Sequence, residues 1–158
     1  MVEPDNLRYT KIPLNNGSGA IPALGFGTLI PDIIATKNAT KAALEAGFRQ
    51  LDSAERYRTE KEVGEAMQEV FKAGKIKRQD VFIATKLWNN NHRPERVVPA
   101  FEASLKKLQL DYLDLYLIHT PFALKEYRKR NGSGAVYDDP RVAVGAGRFD
   151  EVGARAEA

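Results

Sequence analysis

The sequence predicts an α/β fold of repeating βα units, about the first four of a (β/α)8 TIM barrel behind a short N-terminal β-hairpin. Three observations carry that expectation. Apolar runs end at or beside Thr28, Asp52, Lys86 and His119. The last three ends fall about 33 residues apart, and a strand, a helix and two loops fill about 30 residues. The runs FRQLD, VFIATK and LDLYLIH are near-continuously apolar rather than alternating, as strands covered on both faces are. The link after the first run, GFGTLIPD, lacks the G-x-G-x-x-G loop that a doubly wound nucleotide-binding sheet wants there, which favours the barrel.

The elements follow in order. Arg8 to Leu14 and Ala20 to Pro22, joined by Asn15-Asn16-Gly17-Ser18-Gly19, predict the hairpin with its Gly-rich turn. LGFGT, Leu24 to Thr28, is the first barrel strand, and residues 36 to 46 predict a helix that Gly47 ends as a left-handed cap. FRQLD is the second strand. Thr59 with Glu62 predicts a capping box, and Val63, Met67, Val70 and Phe71 give a helical stripe that stops before Gly74. VFIATK is the third strand. Pro94 and Pro99 confine the next helix start to their neighbourhood, with Phe101, Leu105 and Leu108 as its buried stripe. LDLYLIH is the fourth strand.

After about Ala123 the pattern fails. Residues 1–123 are expected to form the barrel half, and residues 124–158 a polar loop followed by an irregular tail. Ala, Gly, Arg and Val supply 14 of the last 19 residues, with no Leu, Ile or Lys, so the tail is expected to be foreign to the barrel, from a shifted frame or an alternative splice.

Composition narrows the function classes. With 158 residues, 43% hydrophobic and 28% charged, the chain has the composition of a soluble globular domain. A net charge of +3, with Lys and Arg interleaved among acids, gives no basic stripe and argues against nucleic acid. Without Cys, and with two His outside any carboxylate motif, neither disulfides nor a metal site are expected. No run approaches the length of a membrane span and MVEPDNLRYTK has no apolar stretch, so cytoplasmic residence is the expectation.

In a parallel sheet every strand delivers its C-terminal end to one face, where such folds keep their chemistry. An acid, a phenol, a lysine and a histidine would therefore meet there, as a proton-transfer site. The segment GFRQLDSAERYRTEKEVG resembles the first signature of the aldo-keto reductase family. LGFGT, ATKLW and LDYLDLYLIHTP resemble further blocks of it in the right order, so the resemblance covers roughly Tyr9 to Phe122. Gln50 stands where the family often has His. The resemblance implies an NADP(H)-dependent oxidoreductase that reduces aldehydes or ketones, with Asp52, Tyr57, Lys86 and His119 as its catalytic tetrad. It also implies Gly27, Thr28 and Leu29, with Asp52, near the nicotinamide end of the cofactor, and Trp88 with His119 at the substrate pocket.

Those residue types suit the chemistry. Adding hydride to a carbonyl needs a proton for the oxygen as negative charge grows there. An ammonium beside a phenol favours the phenolate and makes the phenol a better donor, which is the role of Lys86 toward Tyr57. Asp52 would hold Lys86, and His119 would orient the substrate oxygen. Singly, each has an ordinary alternative: Asp52 a turn residue, Lys86 a solvated strand end, His119 and Trp88 packing.

A complete barrel of this kind needs about 250 residues or more. The family's later motifs, a strand-end G-[VI]-S-N-[FY] and a Lys-Ser cofactor segment, are absent from the sequence. The chain is thus expected to hold the tetrad but little of the cofactor grip, to bind NADPH weakly or not at all, and to be either poorly folded or self-associated through an uncovered barrel face. The alternative function is a non-catalytic half-barrel that pairs with itself or another chain. A lysine Schiff-base aldolase would leave Asp52 and Tyr57 unexplained.

Overall fold

The structure is a computed structural model and describes residues 9–124. Strands β1 (Lys11–Pro13) and β2 (Ala20–Pro22) form the antiparallel hairpin, with Ile12 opposite Ile21. Four parallel strands follow in chain order across one sheet: β3 (Phe26–Gly27), β4 (Gln50–Asp52), β5 (Phe82–Leu87) and β6 (Leu115–Ile118). Three helices join them: α1 (Ile33–Glu45), α2 (Glu60–Lys72) and α3 (Pro94–Leu108). Each strand pairs with the next in sequence, with no reversal of order, which is the winding of a barrel and not of a doubly wound sheet.

The register sorts the side chains. Phe26 pairs with Leu51, Leu51 with Ile83, and Thr85 with Tyr116, so this set faces the helices. There Leu44, Leu51, Val63, Met67, Val70, Ile76, Val81, Ile83 and Leu108 form the core. Gly27 and Asp52 are partners, as are Lys86 and Leu117, and they point to the opposite face. The hairpin lies at the N-terminal end of the sheet, facing Phe82 and Leu113 across a cleft of about 340 Å³ lined also by Leu14 and Ala20.

Several sequence expectations are corrected in detail. Helix α1 starts at Ile33, three residues early, because the Asp32 carboxylate accepts from the Ala35 N–H at 2.6 Å and caps it. The first barrel strand shrinks to Phe26–Gly27, and the third runs one residue past Lys86. Helix α2 begins after Thr59 as expected, but no capping box forms: the Thr59 hydroxyl donates instead to the Thr28 carbonyl at 3.3 Å. In α3 the buried stripe is Ala100, Ser104 and Leu108, one turn apart. Phe101 and Leu105 are only half-buried, and Phe101 packs edge-on against Tyr116 at 5.2 Å.

On the face that carries Lys86, Phe82 and Ala84 are covered, so exposure is not general there. There Leu117 is 40% exposed; Ile118, on the opposite face of β6, is 51% exposed, and Phe122 beyond the strand 58%. No helix among the described residues is long and apolar enough to cross a membrane. The tail expected to be foreign lies outside the described residues.

Candidate active site

The C-terminal ends of β4, β5 and β6 converge because adjacent ladders continue past the strands. The Ser53 N–H donates to the Ala84 carbonyl at 2.8 Å, and the His119 N–H to the Leu87 carbonyl at 3.0 Å. Thr28 ties in β3: its N–H and its hydroxyl both donate to the Asp52 carbonyl at 3.0 Å. Thr28 is fully buried. Its hydroxyl therefore serves the backbone of Asp52, while Gly27 and Leu29 on either side are exposed.

After Asp52 the chain turns sharply. A 3-10 turn over Glu55–Tyr57 closes with the Arg58 N–H on the Glu55 carbonyl at 3.2 Å. Arg58 adopts the left-handed conformation, φ 61° and ψ 19°, a place glycine usually takes. That turn returns Tyr57 over the strand ends.

Lys86 is the centre of the group. Its ammonium donates to Asp52 Oδ1 at 2.6 Å and to the Ser53 carbonyl at 2.8 Å. Its Nζ also stands 5.1 Å from the centre of the Tyr57 ring. The Lys86 side chain is 14% exposed against 39% for Asp52, so the pair is shielded from one side only. The Tyr57 ring meets His119 edge-to-face with centroids 5.7 Å apart, and Trp88 meets His119 in the same manner at 5.1 Å. Thus Asp52, Tyr57, Lys86, His119 and Trp88 form one connected cluster, with Gly27 beside Asp52 in register.

Burial holds the His119 imidazole below its ordinary range, and Lys86 and Arg56 push the same way while Asp52 opposes them. The ring is therefore neutral near pH 7, and its Nδ1 is buried without a hydrogen-bond partner. A neutral imidazole donates one N–H, which suits orienting an oxygen better than protonating it.

The model of the aldo/keto reductase family matches residues 32–136. The chain belongs to the aldo-keto reductase family. It is 50% identical over 121 residues to human aldo-keto reductase family 1 member C1, covering 75% of this chain and 37% of that protein. The human member C3 is 51% identical over the same length. A Bombyx mori aldo-keto reductase, solved in complex with NADP, superposes with a TM-score of 0.71 at 43% identity, over 73% of this chain and 39% of that one. The chain thus spans little more than a third of the length of these aldo-keto reductases.

Three contributors were not read from the sequence. The Ser53 carbonyl completes the seat of Lys86. Glu55 reaches the loop after β5, accepting from the Trp88 N–H at 3.3 Å and from the Asn91 amide at 3.2 Å. Glu60 is 1% exposed, accepting from Thr85 at 2.8 Å and Lys107 at 3.3 Å behind the strand that carries Lys86. An acid at a turn reads as solvated, so only the fold reveals Glu55 and Glu60.

Proposed function

We propose that this aldo-keto reductase chain carries the proton-transfer half of an NADP(H)-dependent carbonyl reductase, converting aldehydes or ketones to alcohols. The observation that carries the reading is the seat of Lys86, bridged between Asp52 and the Ser53 carbonyl and turned to the Tyr57 ring. Tyr57 gives its hydroxyl proton to the substrate oxygen. Lys86 balances the negative charge left on the phenol, in a site shielded from water on one side where such a charge counts for more. Asp52 holds the Lys86 ammonium in place and aimed. His119 donates to the same oxygen, and Trp88 walls the space beside it.

The residues fit a cofactor approaching from the β3 side. Gly27 is exposed next to Asp52, and no atom lies within 4 Å of where its side chain would begin. Gly27 and the exposed Leu29 would hold the nicotinamide end, while Thr28, expected there from the sequence, is fully buried with its N–H on the Asp52 carbonyl and so supports them from behind. When bound, that ring supplies the hydride to the carbonyl carbon. Cytoplasmic residence is part of the proposal.

The test joins residues 9–124 to the remaining strands of the Bombyx mori reductase and assays Tyr57→Phe. Reduction of a simple aldehyde should fall at least about 100-fold, the usual contribution of a general acid, with NADPH binding nearly unchanged. A variant that keeps more than about a tenth of kcat removes Tyr57 as the acid. A second reading, a non-catalytic half-barrel that pairs with another chain, has in its favour the exposed Leu117 and Ile118 of β6. It predicts assembly without any NADPH binding.

A further inference from the structure

Two loops carry the aromatic walls of the site. One is the turn after β4, which holds Tyr57; the other follows β5 and begins with Trp88, which leads into a 3-10 turn over Asn89–Asn91. β5 ends at Leu87, one residue before the Trp88 N–H. The Glu55 carboxylate takes it at 3.3 Å. Both Glu55 oxygens also stand 3.2 Å from the Asn91 side-chain nitrogen, in the next turn of the same loop. The residue after Glu55 adds a third contact, with the Arg56 guanidinium 5.3 Å over the Trp88 ring.

These contacts join segments more than 30 residues apart in sequence. A single charged acceptor receiving two donors holds both more firmly than neutral acceptors would. The ring contacts then complete a circuit: Tyr57 to His119 at 5.7 Å, His119 to Trp88 at 5.1 Å, and Trp88 back through Glu55 to the Tyr57 turn. Glu55 touches none of the reacting groups.

We propose that Glu55 is a positioning residue: its carboxylate pins the Trp88 loop to the Tyr57 turn and so fixes the gap into which the carbonyl enters. As a statement about catalysis this rests on the reductase reading; as a statement about the two loops it stands alone.

Trp88 is the chain's single Trp, so its fluorescence reports this loop directly. In the 158-residue chain, Glu55→Ala should red-shift the emission and raise the acrylamide quenching constant about twofold or more, with far-UV circular dichroism unchanged. Glu55→Gln should fall between, since its carbonyl oxygen still accepts from the Trp88 N–H. If Glu55→Ala does not fold, Asn91→Ala decides: it removes one donor from the clamp, and a smaller rise in quenching is expected. Parent-like emission and quenching in the folded Glu55→Ala chain, or failing that in Asn91→Ala, overturns the proposal. If Glu55→Ala frees Trp88 while Tyr57→Phe leaves reduction intact, the clamp holds and the reductase reading is what fails.

Discussion

Gly64, in the second turn of α2, is a point of close approach between α2 and α3. A Cβ built on it would lie 2.6 Å from the Lys107 carbonyl oxygen and 2.7 Å from both the carbonyl carbon and oxygen of Leu108. Those atoms are backbone, so none can swing aside, and the helices would have to part by several tenths of an ångström. Gly64→Ala gains about 1 kcal/mol of helix propensity. Overpacking against a fixed neighbour costs typically 1–3 kcal/mol. The parting also strains the bonds that Glu60, one turn before Gly64, makes to Lys107 and Thr85. The net expectation is a loss of about 1–2 kcal/mol, which lowers the melting temperature by roughly 2–8 °C for a domain of this size. Urea melts of parent, Gly64→Ala and the exposed control Lys61→Ala measure it. A Gly64→Ala midpoint at or above the parent's would refute the close approach of the two helices.

Two further outcomes are expected. Arg58→Gly should stabilise the chain by roughly 0.5–1 kcal/mol, because glycine adopts the left-handed conformation without the side-chain clash that Arg58 bears; a lower urea midpoint counts against it. Burial holds both His92 and His119 below the ordinary histidine range, so the unfolded chain binds more protons and stability rises with pH. That contribution is complete above the unfolded value of about 6.5 and is lost as pH falls through the lower folded values. Imidazole resonances titrating at or above 6.5 would contradict it.

The site was legible where chemistry coincided with the ends of apolar runs. Asp52, Lys86 and His119 announce themselves as polar residues closing strands, and the βα beat puts them on one face. What stayed hidden depends on partners distant in sequence. The Thr59 hydroxyl is drawn from its expected cap to the Thr28 carbonyl, 31 residues away. Glu60 is buried because Thr85 and Lys107 meet it from two other elements. The need for glycine at position 64 exists only once α3 arrives. In α3 the large Phe101 points the sequence reading to the wrong stripe, because the helix turns Ala100 and Ser104 inward and leaves Phe101 against Tyr116.

As a carbonyl reductase, the reading proposed above, the cluster would move a proton while hydride arrives from NADPH. The most direct measurement supplies NADPH deuterated at the transferable nicotinamide position to the completed barrel bearing residues 9–124, and weighs the alcohol formed. One deuterium on the carbinol carbon is predicted, with the yield lost in Lys86→Met. An unlabelled alcohol would rule out hydride transfer from NADPH, and labelled product formed equally well by Lys86→Met would remove Lys86 from the proton transfer.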